Sequence, residues 1–191
     1  FDAEGKYSLK VEGLVNDTKY NYCWYARQGD ECKYGTAQEF TTASVTINLS
    51  VDPITQTTAT FKGSYEEPDG EGFEIGLIYS ASPADLAMDS EVAKVIKLED
   101  SAFSHKVDSL KYNTEYYYCT YICQDGDYKY GTAQSFKTQD VTVELSVNNI
   151  TQTTATFTGK TVITESSAIE VGILYSTQSS LSMSSSSTKK K

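Results

Sequence analysis

Histidine and closely spaced cysteine pairs are scarce in this chain. There is one histidine, His105, and no Cys-x-x-Cys pair, so the N/S ligand sets of structural zinc sites cannot be assembled. His105 alternates with Phe103 and Val107, the place of a packed or edge strand residue rather than a base. No Ser-His-Asp or Cys-His-Asn set is recognisable. No enzymatic activity, cofactor or metal is therefore expected. The acidic loop 66–71 lacks the ligand spacing of a calcium loop and reads as solvated. Only 3 prolines and 12 glycines occur, which argues against a low-complexity coat. No apolar run approaches the ~18–20 residues of a membrane-spanning helix. Basic residues are outnumbered, 16 against 26 acidic, for a net charge of −10. Nucleic acid and anionic lipid are thus poor partners, and the acidity serves solubility.

The four cysteines do not read as local disulfides. If the hairpin turn centres near Gly29-Asp30, Cys32 faces about Arg27 rather than Cys23. Cys119 and Cys123 lie four apart on one strand, roughly 13 Å by the rise per residue. A disulfide needs Cα atoms within about 7 Å.

What the chain does have is tyrosine, 15 residues in 191, with threonine, serine, valine and isoleucine, a composition that favours strands. The stretch from Leu110 to Thr138, LKYNTEYYYCTYICQDGDYKYGTAQSFKT, organises the rest. Tyr116, Tyr118, Thr120 and Ile122 alternate with Tyr117, Cys119, Tyr121 and Cys123, the period of a half-buried strand. A turn at Asp125-Gly126-Asp127 sends the chain back. The same stretch occurs from Leu14 to Thr42, 96 positions earlier. At that offset VTVELSVNNITQTTATFTG repeats VTINLSVDPITQTTATFKG, and IEVGILYS repeats FEIGLIYS. Tyr7, Leu9 and Val11 alternate as a strand, as do Phe103, His105 and Val107. Residues 81–96 read as irregular or as a short helical turn.

Short strands about every ten residues with turns between them point to all-β sandwiches. A period of 96 residues is one sandwich domain in a tandem array.

The motifs resemble fibronectin type III domains. Leu110, Thr114, Tyr116 and Tyr118, and equally Leu14, Thr18 and Tyr20, match the E–F corner and F strand. In that family the corner tyrosine lies six residues after a core leucine and bonds back to the backbone. The endings YGTAQ-x-F-x-T, the TTATF segments and the GLIYS and GILYS segments look like strands G, B and C of repeats from bacterial surface proteins. Asn16 and Tyr112 replace the family's proline, and Phe61 and Phe157 its B-strand tryptophan. The resemblance implies Greek-key sandwiches on an extracellular, bacterial cell surface.

In family terms, residues 1–42 correspond to strands E, F and G of one domain. Residues 45–138 form a complete domain, and 141–191 give strands A, B and C of another. The two halves are complementary. Alone, each would expose its inner face: Tyr20, Tyr22, Trp24 and Phe40 on one, Phe157, Val171 and Ile173 on the other. At ~1.5–3 kcal/mol per large apolar side chain, the lost burial is roughly 10 kcal/mol or more. Three arrangements would satisfy them: head-to-tail fibres between molecules, closure within one molecule, or neighbouring repeats of a longer chain. The expected role is a non-enzymatic stalk or fibre that associates with itself through half-domains. A binding module for glycan or host protein is the alternative, using an exposed tyrosine face of Tyr25, Tyr117 and Tyr121. An accessory domain of a larger secreted enzyme is the third reading.

Overall fold

The computed structural model describes residues 8–66, 68, 72–163, 169–184 and 189–190. Most of the acidic loop lies outside these. Among the described residues there is no α-helix, only strands and one 3-10 turn, Pro83–Asp85. The chain divides into two compact units. One comprises Phe1–Pro53, Thr60–Lys106 and Glu115–Lys137; the other comprises Ile54–Ala59, Val107–Thr114 and Thr138–Lys191.

The first unit opens with two short hairpins. Strand β1 (Lys19–Tyr22) pairs with β4 (Gln38–Thr41), and β2 (Tyr25–Gln28) with β3 (Glu31–Tyr34), all antiparallel. Arg27 faces Cys32 in this register, as the turn placement requires, and all four cysteines are free. Strands β5 (Ile47–Ile54), β6 (Ala59–Tyr65), β7 (Phe73–Ser80), β8 (Lys94–Leu98), β9 (Ala102–Val107), β10 (Glu115–Gln124), β11 (Asp127–Tyr130) and β12 (Gln134–Lys137) follow. Apart from Ile54, Ala59 and Val107, they belong to the same unit.

These eight strands make two sheets. One runs β5-β6-β9; the other runs β11-β10-β7-β8, with β12 also on β10. In family letters these are A-B-E and G-F-C-C′, a fibronectin type III-like sandwich. Phe61 of the first sheet shows how the sheets meet. It is fully buried, and its ring lies 5.4–5.8 Å from Tyr79, Tyr118 and Phe136 of the second sheet. Strand F turns back at Asp125-Gly126, where φ is 53° and 90°. Two consecutive positive φ values are what a two-residue type I′ hairpin demands, and Asp-Gly meets them with little strain.

In the second unit, β13 (Thr142–Asn148) pairs with β14 (Thr156–Val162) as A with B. Strand β15 (Leu174–Tyr175) pairs with β16 (Lys189–Lys190). The threonine turns at 55–58 and 151–154 match. Thr55 N–H donates to the Thr58 carbonyl at 2.9 Å, and Thr151 N–H to Thr154 at 2.8 Å.

Three expectations are corrected. First, residues 8–15 are not a strand. Strand E gains its ladder from strand B, as β9 does from β6, and alternating Leu9 and Val11 cannot hold an extended ladder without a partner. Second, the IEVGILYS segment is extended only at Leu174–Tyr175, whereas its counterpart β7 has eight residues. Strand C is pinned by strand F, and β7 pairs with β10 along its whole length. Third, residues 81–96 are not wholly irregular, because Lys94–Leu98 forms an edge strand on β7.

Candidate self-association faces

Positions 96 apart adopt the same local geometry. Tyr20 stacks on Phe40 at 5.6 Å, and Tyr116 on Phe136 at 5.6 Å. The Tyr22 hydroxyl donates to Gln38 Oε1 at 2.7 Å, and that of Tyr118 to Gln134 Oε1 at 2.8 Å. Thr42 N–H donates to the Thr18 carbonyl at 3.0 Å, as Thr138 N–H does to Thr114. The corner tyrosine is in place: the Tyr20 hydroxyl accepts from Val15 N–H at 2.8 Å. Phe157 faces Tyr175 at 6.4 Å, as Phe61 faces Tyr79 at 5.8 Å.

Burial is what differs. Tyr22 is 46% exposed and Tyr118 only 5%; Phe157 is 40% exposed and Phe61 not at all. Phe40 and Val171 are likewise exposed, while their counterparts Phe136 and Ile75 are buried. Tyr20 and Ile173 are half-buried, against buried Tyr116 and Leu77. Trp24 is exposed where Thr120 is half-buried. The seven residues expected to form a self-association core thus lie on two faces that lack the cover their counterparts have.

The expected tyrosine face does not exist as one exposed stripe. Tyr121 is 1% exposed, its hydroxyl donating to Glu74 Oε1 at 2.9 Å. Burial and that bond push its phenol pKa up. Tyr117 is half-buried, its hydroxyl bonded to Glu115 Oε2 at 3.1 Å. The reason is that the outer face of strand F is also covered. The 3-10 turn packs on β10, and Met88 N–H donates to the Tyr130 hydroxyl at 3.2 Å. Gly76 leaves room for the Tyr121 ring: a Cβ there would collide with Tyr121 Cε1. Tyr25 is 69% exposed, but it stands 96 positions before Tyr121. Its exposure therefore belongs with the uncovered faces. Sequence reading missed this because a strand apolar on both sides was taken to have one solvent side; the signal was β7, whose Ile75, Gly76, Leu77 and Ile78 are all buried.

Around Glu74 the charges are paired. Lys97 Nζ lies 2.9 Å from its carboxylate. Lys97 first and Tyr121 second hold the Glu74 carboxyl below the usual carboxylate range. No helix among the described residues is long and apolar enough to cross a membrane.

No protein-family model matches the chain, and no curated protein is significantly similar to it. Solved structures are similar over part of it. The sensor domain of the anti-sigma factor RsgI4 from Pseudobacteroides cellulosolvens is 26% identical, spans 50% of this chain and 95% of its own, and has a TM-score of 0.38. A computationally redesigned β-sandwich protein is 22% identical over 49% of this chain and 87% of its own, also at 0.38. The FN1–FN3 domains of chicken CNTN1 are 15% identical over 70% of this chain and 47% of their own, at 0.38. The fold assignment stands on the strand order and the two-sheet core.

Proposed function

We propose that the chain is a non-enzymatic structural module of an extracellular stalk or fibre. Its uncovered faces are completed by the complementary half of another copy, head to tail. One observation carries this reading. Side chains with the same local hydrogen bonds and ring contacts are buried in the complete sandwich and exposed in the two half-sandwiches. Exposed inner faces and unpaired sheet edges are the features that drive strand complementation between chains. A heterologous contact of this kind does not close on itself, so it propagates as a filament. Light scattering on the intact chain across a wide concentration range tests the reading. A ladder of masses rising with concentration is the expected result. A mass fixed at 21.1 kDa at every concentration would refute polymerisation.

A further inference from the structure

Within the first unit, the corner Leu14–Thr18 is gripped by two side chains from the β10–β11 hairpin. Gln124 is buried; its Oε1 accepts from Asn16 N–H at 2.9 Å and its Nε2 donates to the Leu14 carbonyl at 3.1 Å. Lys129 Nζ donates to the Asn16 carbonyl, to the Asp17 carbonyl at 2.7 Å and to Thr18 Oγ1 at 2.9 Å. An ammonium has three N–H donors, and here each has an acceptor. Asp17, with φ 44°, makes the corner that presents them.

Both halves of this clasp occur again 96 positions away. The corner Leu110–Thr114 has the same form. Asn113 has φ 50°, and Thr114 Oγ1 donates to the Tyr112 carbonyl at 2.9 Å, as Thr18 Oγ1 does to Asn16. Thr138 Oγ1 donates to the Lys111 carbonyl at 2.6 Å, as Thr42 Oγ1 does to Val15. Gln28 ends β2 as Gln124 ends β10, and Lys33 faces Ala26 as Lys129 faces Ile122. Gln28 and Lys33 are exposed, whereas Gln124 is buried and Lys129 half-buried.

We infer that Gln28 and Lys33 form a docking clasp for the Leu110–Thr114 corner of a second copy of this chain. The inference rests on the half-domain reading above and adds what fixes the angle between successive sandwiches. Complementation supplies apolar burial without directing one domain onto the next. The clasp supplies directional, charge-assisted bonds between a lysine and main-chain carbonyls. In the assembled fibre every joint would then repeat the bonds seen between Gln124, Lys129 and Leu14–Thr18.

The test uses the intact chain as an equal mixture of ¹⁴N- and ¹⁵N-labelled protein. Amine cross-linking is read by mass spectrometry, alongside light scattering of wild type and of Q28A/K33A. Cross-links from Lys33 to Lys111 joining light to heavy chains, with association weakened about tenfold in the double variant, are the expected result. If wild type assembles but those cross-links are absent and the variant assembles equally well, the clasp is overturned while half-domain complementation stands. If wild type does not assemble at any concentration, both fall. Q124A/K129A reads the clasp within one molecule: amide exchange at Asn16 should speed up about tenfold. An unchanged rate would mean that these side chains do not hold the corner.

Discussion

Phe61 and Phe157 occupy the same place in the repeat, but the cost of the same substitution should appear in folding for one and mainly in assembly for the other. Phe61 is fully buried against three rings. Phe61→Ala should cost about 3–5 kcal/mol, a large share of the stability of a sandwich this size. The loss should appear at any concentration in urea unfolding followed by circular dichroism. Phe157 is 40% exposed and has the Tyr175 ring at 6.4 Å. Phe157→Ala in dilute, monomeric chain should cost only ~1 kcal/mol. The remaining ~2–4 kcal/mol should appear on assembly, weakening association roughly 30- to 1000-fold. Light scattering reads this second number. The reasoning fails if Phe157→Ala unfolds dilute chain as readily as Phe61→Ala does, or if it leaves assembly unchanged.

Thiol labelling gives an independent readout: Cys23 and Cys32 are exposed while Cys119 and Cys123 are buried. A maleimide should modify the first pair quickly in dilute chain, and assembly should protect Cys23, whose counterpart is Cys119. Gly76→Ala should destabilise the sandwich by about 2–4 kcal/mol, since its Cβ would meet the Ile96 carbonyl at 2.5 Å as well as the Tyr121 ring; unfolding within error of wild type would contradict the close approach. The Glu74 carboxyl pKa is lowered by Lys97 and Tyr121. A depressed carboxylate stabilises the fold above its unfolded pKa, and that contribution is lost as pH falls through the folded value. Glu74→Gln should therefore lower Tm at neutral pH, and the gap should close in acid below the carboxylate range; a gap that persists there would exclude the charge as its cause.

The hairpins and the Tyr20 corner were legible because each is specified within about thirty residues. Alternation gives the strand, Asp125-Gly126 gives the reversal, and Thr18 or Thr114 gives the corner. The features that were not legible depend on distant pairing. Val95, Ile96 and Leu98 form a strand only because β7 presents an edge to them. Leu9 and Val11 alternate as well as Phe103 and Val107 do, yet only the second pair lies on a strand with a partner sheet. Tyr121 looked outward by alternation, but the face it points to is covered by residues forty positions earlier in the chain.

The same contrast bears on how two halves would combine. The β1–β4 and β2–β3 ladders and the Tyr20–Phe40 stack are formed without the burial their counterparts have. So is the β13–β14 ladder. Ordering a segment on binding costs affinity in proportion to what must be ordered. Among the described residues of the half-sandwiches, that cost falls on the segment around Leu9 and Val11 and on the strand C residues that precede Leu174–Tyr175. Each of these is the element whose ladder partner belongs to the other half. Association would thus extend two pre-formed hairpin sets by one strand apiece, rather than fold two disordered chains. On that basis complementation should be fast, and its temperature dependence should reflect burial of the apolar faces rather than wholesale folding.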